Sequence, residues 1–213
     1  MQDSRYFGQY FRFETVNKKA AGSIIGPDGI MGDKMSIDFR TDNGATTAWL
    51  INRWGDDAGF FSAQDTRTLQ LLAAHGFTLH PLYALLAFSD DLREGNYWGE
   101  VALLAYEPMF SDVFDVFARN IAKLLQEGIR PDIGLSSEEI NTVLSKNGNW
   151  TPARRLPKPD FDKGTVTIKS RISLMERFIE AGRARKKWTY VVGGVLTVAI
   201  LALIVFGLKS CMG

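Results

Sequence analysis

"FTLHPLYALLAF" (residues 77–88) and "YWGEVALLAYEP" (residues 97–108) decide the fold class of this chain. Each is a short apolar run, and the polar segment "SDDLREGN" (residues 89–96) lies between them. Runs of this length, bounded by turn-forming residues, mark strands buried in a core. The first is too short to cross a bilayer and contains Pro81, which would break a helix. The pair is expected to form two buried strands joined by a loop.

Toward the N-terminus, Tyr6, Phe7, Tyr10, Phe11 and Phe13 place five aromatics in eight residues. The spacing fits a strand, or a helical turn followed by one, and such a cluster fills a core. "GPDG" (residues 26–29) reads as a turn, with Pro27 preset for its second position. Met35, Ile37 and Phe39 alternate with polar residues before "DNG" (Asp42–Gly44), a tight hairpin signal. Strands are predicted over Lys34–Arg40 and Thr46–Trp54. Ser62 and Asp65 open a helix over Ala63–His75, which Gly76 ends.

Beyond the apolar pair, Phe110, Val113, Phe114, Phe117, Ile121 and Leu124 recur at helical spacing up to a Gly128 cap. Ser136–Glu139 caps a shorter helix that runs to Lys146 and stops at Asn147-Gly148. Strand pairs followed by helices predict an α+β domain, a mainly antiparallel sheet with helices packed on one face. There is no regular βαβ alternation, which disfavours a doubly wound sheet.

The domain is expected to span residues 1–149. Pro152, Pro157 and Pro159 mark residues 150–169 as a linker, in which "TVTIK" (residues 165–169) is either an edge strand or more linker. Ser173 and Glu176 cap the next helix, so residues 170–187 form a basic, amphipathic juxtamembrane helix. From Trp188 to Leu208 no side chain is charged. As a helix, the 19 residues Tyr190–Leu208 span about 28 Å, close to the bilayer's hydrocarbon thickness. Residues 188–208 are therefore expected to be a single transmembrane helix, and 209–213 a short exoplasmic tail.

Arg183, Arg185, Lys186 and Lys187 precede the span, while only Lys209 follows it. Positive charge stays inside, so the N-terminal domain is expected in the cytoplasm. Trp188 and Tyr190 sit where an interfacial aromatic belt would. Gly193 and Thr197 form a small-xxx-small pair through which two membrane helices could pack into a homodimer. No secretory signal opens the chain and only five residues follow Leu208, so a tail-anchored protein inserted largely after translation is expected. A compact chain without low-complexity sequence favours a bacterial inner membrane over a eukaryotic organelle.

Charge is split along the chain. Residues 1–150 hold 13 Lys/Arg against 20 Asp/Glu, a net of −7; residues 151–213 hold 12 against 4, a net of +8. Anionic lipid headgroups would attract the basic part and repel the acidic body. Nucleic acid is disfavoured as a partner. The single cysteine, Cys211, lies beyond the span, so the body has no disulfide and no Cys-based metal site.

The candidates for chemistry are few. A shared site can be drawn from His75 and His80 with Asp56 and Asp57, but their spacing matches no metal-ligand motif. Gly22, Gly26, Gly29 and Gly32 lie before a strand rather than a helix, so they suit turns and not a phosphate cradle. No cofactor or metal is expected. The leading expectation is a membrane-presented interaction or scaffold domain for a protein partner. One alternative is a membrane-tethered hydrolase using His75 or His80 with Asp56, Asp57 or Asp90. Another is a charge switch, in which the acidic body docks on the basic stalk until anionic lipid competes.

Overall fold

The protein is seen here as a computed structural model, which describes residues 4–26, 29–90, 96–161, 163–173, 176, 177 and 179. The described elements are β1 (Tyr6–Glu14), α1 (Lys18–Ile25), β2 (Ser36–Asp42), β3 (Ala45–Ile51), β4 (Asp57–Phe61), α2 (Ala63–Ala74), β5 (Thr78–Ser89), β6 (Asn96–Tyr106), α3 (Ser111–Gln126), α4 (Ser137–Ser145) and β7 (Thr165–Lys169). The fold is α+β. All seven strands form one antiparallel sheet in the order β2-β3-β4-β1-β6-β5-β7.

The two apolar runs are β5 and β6, and they pair from Thr78↔Tyr106 to Ser89↔Asn96. The aromatic cluster at the N-terminus is β1, which lies on the other side of β6. Side chains of a strand alternate between the two faces of its sheet. In β6, Val101, Leu103 and Ala105 enter one core cluster, with Phe11 and Phe13 of β1, Ile24 of α1 and Leu69 of α2. Ala102, Leu104 and Tyr106 enter a second cluster, with Tyr6, Phe114, Phe117 and Ile121 of α3, and Ile140 of α4. Helices therefore cover both faces of the sheet, not one face as the sequence suggested. The reason is visible in "VALLAY", which is apolar at every position, so neither face of this central strand tolerates water.

The hairpin predicted at "DNG" joins β2 to β3, with Asn43 and Gly44 both at positive φ, 49° and 79°. That is the two-residue turn whose twist matches paired strands. Two elements escaped the sequence reading. Helix α1 is one of them; the Asn17 side chain accepts hydrogen bonds from the Lys19 and Ala20 N–H groups at its start. The other is β4, only five residues long.

Residues 150–161, expected as linker, lie against the same unit. Trp150 stacks on Phe117 with ring centroids 6.3 Å apart, and Phe161 meets Trp98 at 5.8 Å. The N–H of Leu156 donates to the Arg130 carbonyl at 2.8 Å, and the N–H of Asp132 to the Arg154 carbonyl at 3.1 Å. "TVTIK" is β7, the edge strand beside β5.

The chain divides into two compact units, Met1–Ile172 and Ser173–Gly213. The first holds 19 Lys/Arg against 22 Asp/Glu, a net of −3. In the second, the expected helix cap forms: the Ser173 N–H donates to Glu176 Oε2 at 2.7 Å, and the Glu176 N–H to Ser173 Oγ at 3.3 Å. Among the described residues no helix is long and apolar enough to cross a membrane. The expected span, residues 188–208, lies outside them, as do Arg183, Arg185, Lys186, Lys187, Trp188, Tyr190, Gly193 and Thr197.

Candidate functional site

The four candidate residues fall in three separate places. His80, on β5, is 6% exposed and sits over α3. Its Nδ1 lies 3.0 Å from the Tyr106 hydroxyl, which donates to Asp115 Oδ1 at 2.7 Å; Nδ1 is also 3.3 Å from Asp115 Oδ1. A carboxylate only accepts, so Tyr106 gives its single proton to Asp115. The imidazole must then carry its own proton on Nδ1 and donate it. The chain of bonds ties β5 and β6 to α3. Asp115, rather than Asp56, Asp57 or Asp90, is the carboxylate that His80 meets.

Burial disfavours the charged imidazole and pushes the His80 pKa down to about 4, helped by the nearby cations Lys34 and Arg119 and opposed by Asp115. The consequence for stability has a definite sign. The unfolded chain takes up this proton near pH 6.5, and the folded protein only near 4. Stability is therefore full above pH 6.5, and about 3 kcal/mol is lost as pH falls toward 4. His80→Gln keeps a donor for Tyr106 without titrating. Urea unfolding between pH 7 and pH 4.5 should show a shallower loss in this variant than in the wild type. Equal slopes would show that His80 is not held neutral. Burial also pushes the Tyr106 hydroxyl pKa up, and its bond to Asp115 adds to this.

Asp56, in the β3–β4 turn, and Asp57, the first residue of β4, line a cavity of about 390 Å³ with Val16, Asn17, Lys19, Ala20 and Trp49. Both carboxylates already hold local structure. Asp57 accepts from the two terminal nitrogens of the Arg40 guanidinium at 2.8 Å, and this bidentate contact holds its pKa below the usual carboxylate range. Arg40 also lies 4.9 Å above the Trp49 ring. Asp56 accepts from the Asn52 side-chain amide at 3.2 Å, inside the β3–β4 turn. The arrangement fastens the β2–β3 hairpin to β4.

His75 caps the C-terminal end of α2 and lines a different cavity, of about 420 Å³, with Tyr6, Phe7, Leu72, Phe77 and Glu107. The structure thus joins neither histidine to Asp56 or Asp57. Among the described residues no group of three or more His, Cys, Asp or Glu is placed to hold a metal ion.

Two buried charges were missed by the sequence reading. Glu100, 8% exposed, is paired with Arg130, whose guanidinium also lies 3.8 Å from the Tyr10 ring. Lys169 is likewise 8% exposed, and its Nζ donates to the carbonyls of Ile25, Gly26 and Gly29 at 3.3, 3.1 and 2.6 Å. These partners lie 30 and 140 or more positions apart in the chain, so no local pattern announces them. The only sequence signal was the parity of Glu100, a charge in the middle of a strand apolar on both faces.

No protein-family model matches this chain, and a search of curated proteins finds no match.

Proposed function

We propose that this chain is a single-pass, tail-anchored membrane protein that holds an α+β interaction domain at the cytoplasmic face. One observation carries this reading: the charge-free stretch Trp188–Leu208 directly follows Arg183, Arg185, Lys186 and Lys187. Such a stretch gains stability in hydrocarbon, and the cations before it hold the preceding residues on the inner side. The domain would recruit a protein partner. Large apolar side chains left in water support that part, with Trp54 58% and Met109 78% exposed, since aromatic and Met side chains dominate recognition surfaces. Gly193 and Thr197 would pack two copies of the span together.

The full chain should sediment with membranes, resist carbonate extraction at high pH and come free only in detergent. Removing Trp188–Gly213 should release it to the soluble fraction. A full-length protein that is soluble without detergent would refute the anchor.

A further inference from the structure

The two edges of the sheet are built differently. At one edge, β2 turns Asp38, Arg40 and Asp42 to solvent, charges that discourage a further strand from pairing there. At the other edge, β7 exposes Val166 and Ile168, at 54% and 42%. The one cation within β7, Lys169, does not guard this edge, because its ammonium is held by the three carbonyls of the Ile25–Gly29 segment. The exposed cations stand around the strand instead. Lys163 and Arg171, both exposed, flank its two ends, and exposed Lys158 lines a small cavity with Ser170, just past the strand. Residues 151–172 hold six Lys/Arg against two Asp/Glu, a net of +4, whereas residues 1–150 have a net of −7. The β7 edge of a unit with net charge −3 therefore carries two aliphatic side chains between the exposed cations Lys163 and Arg171.

We propose that the β7 edge is a docking surface for an anionic lipid bilayer, an inference that rests on the membrane-anchored reading above. Val166 and Ile168 enter the boundary between headgroups and acyl chains, while Lys163 and Arg171 meet lipid phosphates. Charge complementarity favours this occupant over a second copy of the chain, because two such edges would bring like charges together. Chain length favours it too. The unit ends at Ile172, and the 15 residues Ser173–Lys187 reach at most about 50 Å even when fully extended. Under that reading β7 is the strand nearest in sequence to the span, so the bilayer is always within reach of it.

The test uses the full chain in lipid nanodiscs, with Cys211→Ser and a fluorescent label on Val166→Cys or, as a control on the β2–β3 hairpin, on Ala45→Cys. In discs with about 30% phosphatidylglycerol, brominated acyl chains should quench the label at 166 about twofold and leave the label at 45 unchanged. Quenching should vanish in zwitterionic discs, in about 0.5 M NaCl, where the Debye length is only about 4 Å, and in the Lys163→Glu/Arg171→Glu variant. Incorporation into discs without quenching at 166 overturns lipid docking and leaves the anchor standing. Equal quenching in zwitterionic discs overturns recognition of anionic lipid. A label shielded from water but not quenched, and freed on dilution, assigns the edge to a second copy and overturns the proposal. Failure to enter discs at all overturns the anchor and the docking together.

Discussion

A fragment cut after Asn149 is expected to aggregate or unfold without cooperativity, while one cut after Ile172 folds. The cut at 149 is the boundary that proline content suggests, and it removes far more than a tether. Trp150 leaves Phe117, Phe161 leaves Trp98, and the backbone bonds at Arg154 and Leu156 go with them. Losing β7 also bares the edge of β5, an apolar strand whose free backbone groups invite pairing between molecules. The carbonyls of Ile25, Gly26 and Gly29 lose the ammonium that satisfies them. Each aromatic contributes about 2 kcal/mol when buried and each hydrogen bond about 1 kcal/mol, so the loss approaches the whole stability of an ordinary domain. Urea unfolding followed by circular dichroism checks both fragments. A fragment ending at Asn149 with a transition as steep and as late as the longer one would show that residues 150–172 are merely attached.

Gly148→Ala should destabilise the protein by about 4 kcal/mol, and Gly76→Ala by only about 1 kcal/mol. The two glycines have almost the same backbone, with φ of 79° and 81°. Both would pay the left-handed strain of an L side chain. They differ in space. A Cβ at Gly76 meets nothing within 4 Å, whereas one at Gly148 would lie 2.2 Å from the Val113 carbonyl oxygen and 2.9 Å from the Phe117 nitrogen. Those are backbone atoms of α3 and cannot swing aside, so α4 would lift from α3 and disturb the packing of Phe117 against Trp150. Equal shifts in urea midpoint for the two variants would show that conformation alone, and not contact, sets the requirement at 148.

Legibility followed locality. Strong local signals were read close to their observed bounds: the predicted helix Ala63–His75 is Ala63–Ala74, the hairpin turn falls at Asn43-Gly44, and the capping box at Ser136–Glu139 closes reciprocally. Weak local signals failed. Helix α1 has only eight residues, with Gly22 inside it and no acid in its first turn, and β4 is five residues containing Gly59. The covering of both sheet faces was implied by the unbroken apolar run of β6, but proline content hid the packing of residues 150–161. Three prolines suit an extended segment lying on a surface as well as one crossing open water.

The candidate site was legible only as a set of residue types. His80 meets Asp115, 35 positions away, because β5 and α3 happen to be adjacent, and spacing carries no trace of that. Asp56 and Asp57, offered as partners for a histidine, serve local structure instead, since one closes a turn and the other clamps Arg40. The charge split was half misread. Basic residues 151–172 belong to the folded unit, so its net charge is −3.

In the proposed topology, residues 188–208 cross a membrane with the folded unit on the cytoplasmic side. The natural sequence has a single cysteine, Cys211, beyond the expected span. Labelling with a membrane-impermeant maleimide in intact bacterial spheroplasts therefore reads the topology directly. Cys211 should be modified in sealed cells, whereas a cysteine placed at exposed Lys163, in a Cys211→Ser background, should be modified only after lysis. Protection of Cys211 together with labelling at position 163 in sealed cells would mean the opposite orientation. Protection of both until lysis would mean that the chain does not cross at all.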